Sequence, residues 1–191
     1  YEKTLKKYPL NNTSINARYA RSIAYYKIPD LPKALDEINS LISQFPKDQY
    51  FVELKGQILF ENGKIAESIT YYEKSKSLLE GSALFKIQLA TAQIASENED
   101  NLKPAITNLE QALQTEKHNS FAWHQLGIAY GRLGKLDMSN LALAEEATII
   151  GNKESAKQFI RSAKQAANTG SPAYLRIKDI ENTIEDDKKD K

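Results

Sequence analysis

No cysteine occurs among the 191 residues, so disulfides, thiolate metal ligands and cysteine nucleophiles are excluded. That absence suits an oxidising periplasm, where a free thiol is a liability, without fixing the compartment. An excess of one charge is also lacking: 26 Lys and Arg stand against 25 Asp and Glu, for a net charge of +1. The two signs interleave along the chain. A nucleic-acid binder concentrates basic residues on one face, so no nucleic-acid partner is expected. No apolar run approaches the roughly 20 residues that cross a bilayer, so no membrane span is expected. Histidine is confined to His118 and His124, too few for a site of three or four ligands in a chain without cysteine. No His-Glu-x-x-His, Gly-x-Ser-x-Gly or phosphate-binding Gly-Lys loop occurs. Glu145-Glu146 and Glu185-Asp186-Asp187 read as solvated helix charges. No catalytic residue, metal site or cofactor is expected in this chain.

What the chain does have is apolar residues in a recurring pattern. It is 41% hydrophobic and 27% charged, enough to bury a core and remain soluble. Ala34 to Ile38 aligns with Ser68 to Tyr72, 34 residues on. Ala105 to Leu109 follows after another 37, and Ser139 to Leu143 after a further 34. Each match opens the second helix of a helix–turn–helix unit, and such a period marks a repeat architecture. Gly63-Lys64 and Gly134-Lys135 supply two of the turns. Pro29-Asp30 and the longer stretch Ser96 to Asn101 replace them in the first and third repeats, and the latter accounts for the wider spacing.

The period and its residues resemble the tetratricopeptide repeat. Trp123, Leu126, Gly127, Tyr130 and Gly134 fall at that family's spacing, and Gly56, Leu59, Gly63, Ser68 and Tyr72 repeat it. The implied fold is all-α, a superhelical solenoid of antiparallel helix pairs with C-terminal capping helices. Small residues such as Gly127 and Ala34 let two helices approach, and large ones such as Trp123 and Tyr130 fill the space beside them. The pattern has departures. Lys55 stands at an apolar position beside Leu54, Gln93 replaces an aromatic residue, and Ser68, Ser75 and Ser139 replace alanines. Four repeats are expected at 15–48, 49–82, 83–119 and 120–152. Residues 1–12 read as the remnant of a linker or preceding helix in a piece of a longer protein. Residues 153–185 read as a degenerate half-repeat and capping helix, and 186–191 as a charged, fraying tail.

Punctuation agrees with this register. Asp30, Asn101 and Ser171 are expected as N-caps, with Pro32, Pro104 and Pro172 in the first helical turn. Gly63, Gly134, Gly151 and Gly170 stand where helices should stop. Helices are predicted near 13–27, 31–44, 49–61, 65–79, 83–96, 102–116, 120–133 and 137–150. Two more follow, at 153–168 and 172–185, on the apolar positions Ala156, Phe159, Ile160, Ala163 and Ala167, then Tyr174, Leu175, Ile177, Ile180 and Ile184.

In the repeat family the first helix of each pair lines the inner face of the stack. Carried across by register, that face takes Tyr19, Ile23 and Tyr26 from the first repeat and Tyr50, Glu53, Gln57 and Phe60 from the second. The third gives Ile87, Thr91 and Ile94. The fourth gives Phe121, His124, Ile128 and Arg132. This set is apolar and aromatic for a wet surface, which points to a protein-binding groove; burial by neighbouring repeats or by the terminal helices is the alternative. Few of these residues could donate to a carboxylate, so the acidic-peptide clamp of co-chaperone repeats is set aside.

A closer resemblance lies in the wording of four stretches: Ala17 to Tyr26, Phe51 to Glu61, Phe121 to Gly131 and Gly170 to Ile180. Together they are similar to the C-terminal repeat region of bacterial periplasmic zinc metalloproteases, the β-barrel-assembly-enhancing protease family. That resemblance implies a recruitment domain for envelope protein quality control, in the periplasm. Its partners would be protein segments, its own protease domain, or outer-membrane assembly clients and machinery. Zinc belongs to the family's catalytic domain, of which this chain carries no motif. A stand-alone adaptor or scaffold, and self-association through the apolar face, remain open beside it.

Overall fold

The computed structural model describes the backbone of residues 1–186 and the side chains of residues 1–182. Eleven α-helices and one short 3-10 turn account for the described residues, with no strand among them. They are α1 (Glu2–Lys7), α2 (Ile15–Lys27), α3 (Leu31–Gln44), α4 (Gln49–Glu61), α5 (Ile65–Leu78) and α6 (Ala83–Ala95). After the 3-10 turn (Glu99–Asn101) come α7 (Leu102–Thr115), α8 (Ser120–Arg132), α9 (Leu136–Ile149), α10 (Lys153–Ala166) and α11 (Pro172–Asp186). The chain divides into two compact units, residues 1–85 and 86–191. The expected tail begins at Asp186, which ends α11; the fraying expected from 187 onward, and the side chain of Ile184, lie outside the described residues.

The helix ends follow from local chemistry. Beyond α4, the Gly63 N–H donates to Phe60 O and the Lys64 N–H to Leu59 O, at 3.0 and 2.9 Å. This pair of bonds is a Schellman motif, and it needs a left-handed residue between them. Gly63 supplies it at φ +73°, and Gly134 does the same after α8 at φ +71°. At the other ends, Asp30 accepts from the Lys33 N–H and Ser171 from the Tyr174 N–H, so both cap as expected. Asn101 does not. It stands at the N-cap of α7 with no capping hydrogen bond from its side chain. The extra residues between α6 and α7 wind into the 3-10 turn, which Asn98 caps through the Asp100 N–H, and the Asn101 amide turns back to donate to Ser96 Oγ at 2.8 Å.

In the first unit α2 packs on α3, α3 on α4 and α4 on α5. Its core joins Tyr25, Tyr26, Ala34, Ile38, Leu41, Leu54 and Ile58. The pairing of α4 with α5 depends on Gly56, where an added Cβ would come within 2.9 Å of the Tyr72 ring. Lys55 keeps out of this core by donating to the Tyr71 hydroxyl at 2.6 Å, while Leu54 beside it is buried.

A buried ion pair in this unit is invisible to the repeat pattern. Arg21, 2% exposed, forms a two-pronged contact with Glu37 across the α2–α3 pair, at 2.6 and 2.9 Å. Its remaining terminal nitrogen donates to Pro9 O and Asn12 O, at 2.9 and 2.8 Å. One guanidinium thus fastens the segment before α2 to the first hairpin.

In the second unit α8 packs on α7 and α9, and α9 packs on α10. An added Cβ at Gly127 would lie 2.8 Å from the Leu143 side chain. Ser139, one of the serines in place of alanine, bonds across the hairpin to Gly127 O at 2.8 Å. Gln93 is likewise buried with a partner: Asn108 donates to its Oε1 at 3.1 Å. The last helix, α11, closes over α9 and α10, burying Ile177 and Ile180 against Leu141, Ala144, Ala156, Ile160 and Ala163. Arg176–Glu145 and Lys164–Glu181 pairs flank that contact.

Removing one partner of a buried pair strands the other charge at a cost of about 3–5 kcal/mol. Glu37→Leu should therefore lower the unfolding free energy by roughly that amount in urea titration. Adding Arg21→Met should recover part of the loss. A double variant that is less stable than Glu37→Leu would show that the carbonyl bonds of Arg21, rather than its pairing with Glu37, dominate.

Candidate functional site

The residues assigned by register to one face divide between the two units. In the first unit Tyr19 and Ile23 are half-buried, and the Tyr19 ring lies 5.8 Å from Phe51. Phe60 is half-buried, 6.5 Å from the Tyr72 ring. Gln57 donates to Glu61 at 2.9 Å, and Glu61 pairs with Lys27 at 3.5 Å. Glu53, half-buried, acts electrostatically on both Tyr19 and Tyr72. Tyr50 is 52% exposed, its ring 5.9 Å from Phe85. Tyr26 departs from the expectation. Its ring belongs to the core with Leu54 and Ile58, and the Lys27 ammonium covers it, 4.1 Å from the centroid and 2.7 Å from the hydroxyl.

In the second unit Phe121 is 51% exposed, Ile128 is half-buried, and His124 Nδ1 meets Glu146 at 2.8 Å. Arg132 donates to Ile94 O at 2.5 Å, and the Thr91 hydroxyl bonds back to Ile87 O at 2.8 Å. Ile87 and Ile94 are buried, a second correction to the groove. The cause is composition. Between Ala83 and Ala95, only Lys86, Gln88, Thr91 and Gln93 are polar. A helix this apolar buries residues on nearly every side, Ile87 and Ile94 among them, and leaves Leu84 half exposed in its first turn.

Within each unit, what survives as an accessible apolar edge is one register position, held by Tyr50 and Leu84 in the first unit and by Phe121 in the second. Tyr50, Leu84 and Phe121 are each the second residue of a first helix, and each is about half exposed, at 52%, 53% and 51%.

The second unit also contains a cavity that the register did not announce. It measures about 260 Å³ and lies among α7, α8 and α9, walled by Leu113, Trp123, Leu126, Tyr130, Met138 and Leu141. Glu110, Gln114 and Ala142 complete the lining. At about 100° per residue, Trp123, Leu126 and Tyr130 occupy one side of α8 and Phe121, His124, Ile128 and Arg132 the other. The Trp123 indole is held by donation to Lys117 O at 2.8 Å, and the Tyr130 hydroxyl donates to Glu110. The only sequence signal was Trp123 and Tyr130 themselves, read as volume fillers.

Among the described residues no cluster of three or more His, Cys, Asp or Glu is placed to hold a metal ion, and no helix is long and apolar enough to cross a membrane. No protein-family model matches the chain. Solved structures do. MamA from Desulfovibrio magneticus RS-1 superposes with a TM-score of 0.67 at 15% identity, over 88% of this chain and 95% of that one. TTC0263, a thermophilic TPR protein of Thermus thermophilus, gives 0.59 at 13% identity, over 88% and 100%. PilW, described as a widely conserved type IV pilus biogenesis factor, gives 0.60 at 17%, over 92% and 86%. At these identities the likeness shows the fold, an all-α tetratricopeptide-like arrangement of helix pairs.

Burial pushes the Tyr72 hydroxyl well above the ordinary tyrosine value, with Glu53 and Glu61 adding to it. Burial does the same to Tyr130, helped by its bond to Glu110. A folded-state pKa above the unfolded value of about 10 gives stability that is whole below pH 10 and lost as pH climbs toward the folded value. Urea titrations between about pH 8 and pH 11.5 should show a plateau followed by a fall. Tyr72→Phe and Tyr130→Phe should each flatten that fall. An unchanged slope in both would mean that other groups carry the alkaline loss.

Proposed function

We propose that the chain is a protein-interaction scaffold in which each unit holds a partner segment on the exposed edge of its own first helices. One observation carries this reading: Tyr50, Leu84 and Phe121 leave large apolar side chains half exposed at the same register position in three repeats. Rigid aromatic and leucine side chains give much contact area for little lost entropy. The polar groups beside them, Glu53 and Gln57 in the first unit and His124 in the second, can fix the orientation of a bound segment. The structural neighbour described as a TPR protein supports a scaffold and says nothing of its partner.

A finer reading makes this scaffold the recruiting arm of an exported zinc metalloprotease acting on envelope proteins in the periplasm. It rests on the wording of the four sequence stretches alone. A stand-alone adaptor accounts for the same structure equally well. The full reading frame of the gene separates them: a signal peptide and a His-Glu-x-x-His helix in the same polypeptide support the arm, and neither leaves the adaptor.

The scaffold itself is tested by selecting peptides from a random displayed library on the immobilised chain. Tyr50→Ser and Phe121→Ser should each weaken the selected peptides about tenfold, the loss expected for burying an aromatic anchor. Unfolding free energy should change by only about 1 kcal/mol or less. Equal binding by the doubly substituted chain would place recognition elsewhere.

A further inference from the structure

The cavity among α7, α8 and α9 has features that packing alone does not require. It opens to solvent beside the exposed Glu110 and Gln114, and its volume of about 260 Å³ is far above that of a water molecule. It falls below the roughly 300–1,000 Å³ of sites for drug-sized ligands. An apolar cavity of about 150 Å³ already accommodates a benzene ring. The size therefore suits one large side chain. The walls suit an apolar one, since Leu113, Leu126, Met138 and Leu141 offer no hydrogen bond and Trp123 has already spent its N–H on Lys117 O.

The rim adds a charge. Glu110 is exposed and held in place by the Tyr130 hydroxyl, and among the described residues no cation pairs with it. Lys135, 5.7 Å from the Tyr130 ring, and Asp137, which acts on the same hydroxyl, offset each other. The mouth is left with a fixed negative charge beside an apolar hole.

We propose that this cavity receives a single phenylalanine- or leucine-sized side chain from a partner protein, with a lysine or arginine next to it pairing with Glu110. The site faces away from Phe121 and His124, so it is a second contact point, independent of the exposed edge described above.

Trp123 is the chain's one tryptophan and part of the cavity wall, so its emission reports occupancy directly. The probes are capped pentapeptides: Ala-Lys-Phe-Lys-Ala, Ala-Glu-Phe-Glu-Ala and Ala-Lys-Ala-Lys-Ala. The first should give a saturable shift. The acidic peptide should bind about three- to fivefold more weakly, the range of a partly exposed ion pair. The alanine peptide should lose roughly tenfold or more. Glu110→Gln keeps an acceptor for Tyr130 and should bring the two phenylalanine peptides within about twofold of each other. Phe121→Ser should leave all affinities unchanged. Both variants change exposed residues, and circular dichroism checks that they fold. The proposal is overturned by no saturable shift, by equal binding of the alanine peptide, or by loss of binding in Phe121→Ser. Emission that shifts with the concentration of the chain alone would assign the cavity to a second copy and overturn it too.

Discussion

Close approach of paired helices is the constraint on which the structure depends. In the α4–α5 pair the Tyr72 ring occupies the space that a Cβ on Gly56 would need, and in the α8–α9 pair Leu143 does the same at Gly127. Ala17, Ala24 and Ala34 are fully or almost fully buried in the first hairpin, as are Ala90 and Ala105 in the helices on either side of the 3-10 turn. Small residues at these crossings bring backbones close enough for large neighbours to interlock above and below, where dispersion gains accumulate. The repeat spacing, 34 residues and 37 where the 3-10 turn is inserted, returns small residues to the same place in each pair, because helix lengths stay alike and the extra residues are taken up in the turn.

The same closeness makes polar residues in the core demanding, since an unmade hydrogen bond there costs about 1–3 kcal/mol. Each departure from the repeat pattern meets this demand differently. Ser68 and Ser75 bond within their own helix, to Ile65 O and Tyr72 O, so they act as small residues with a satisfied hydroxyl. Ser139 reaches the facing helix, adding a bond where the chains are closest. Gln93 and Asn108 satisfy one another across helices. Arg21 is the extreme case: its pairing with Glu37 offsets the burial of both charges, and its contacts with backbone carbonyls fix where the chain enters α2. These polar contacts restrict how neighbouring helices can slide, which an apolar core of the same size permits more freely.

Much of the fold was legible because it is written locally. Period, proline and glycine placement brought the eight repeat helices within about two residues of their observed bounds, and Gly63 and Gly134 marked ends that need a left-handed residue. The Asn101 cap was misread because the inserted turn before α7 took over the job of starting the helix. The site was less legible. Register states which way a Cβ points but not what lies in front of it. Tyr26, Ile87 and Ile94 stand at the assigned register positions and are nonetheless covered. Arg21 gave no signal, since its partners come from a loop and a second helix. The cavity likewise arises only where α7, α8 and α9 meet.

The two faces of α8 show why a repeat protein can bind at more than one place without adding elements. A helix packed in a stack must bury a stripe, and the residues at its two margins are available for other uses. On one margin lie the exposed Phe121 and the half-buried His124 and Ile128, at spacings of three and four residues. On the other, Trp123 and Tyr130 meet neighbouring helices incompletely, and the shortfall is a hole. Both arise from the same thirteen residues of α8. The Tyr130 ring buries itself while its hydroxyl positions Glu110 at the mouth, so one side chain both completes the packing and orients the rim charge. In the proposed use of the cavity, packing and recognition are coupled through Tyr130: a change that repacks its ring would also move the carboxylate.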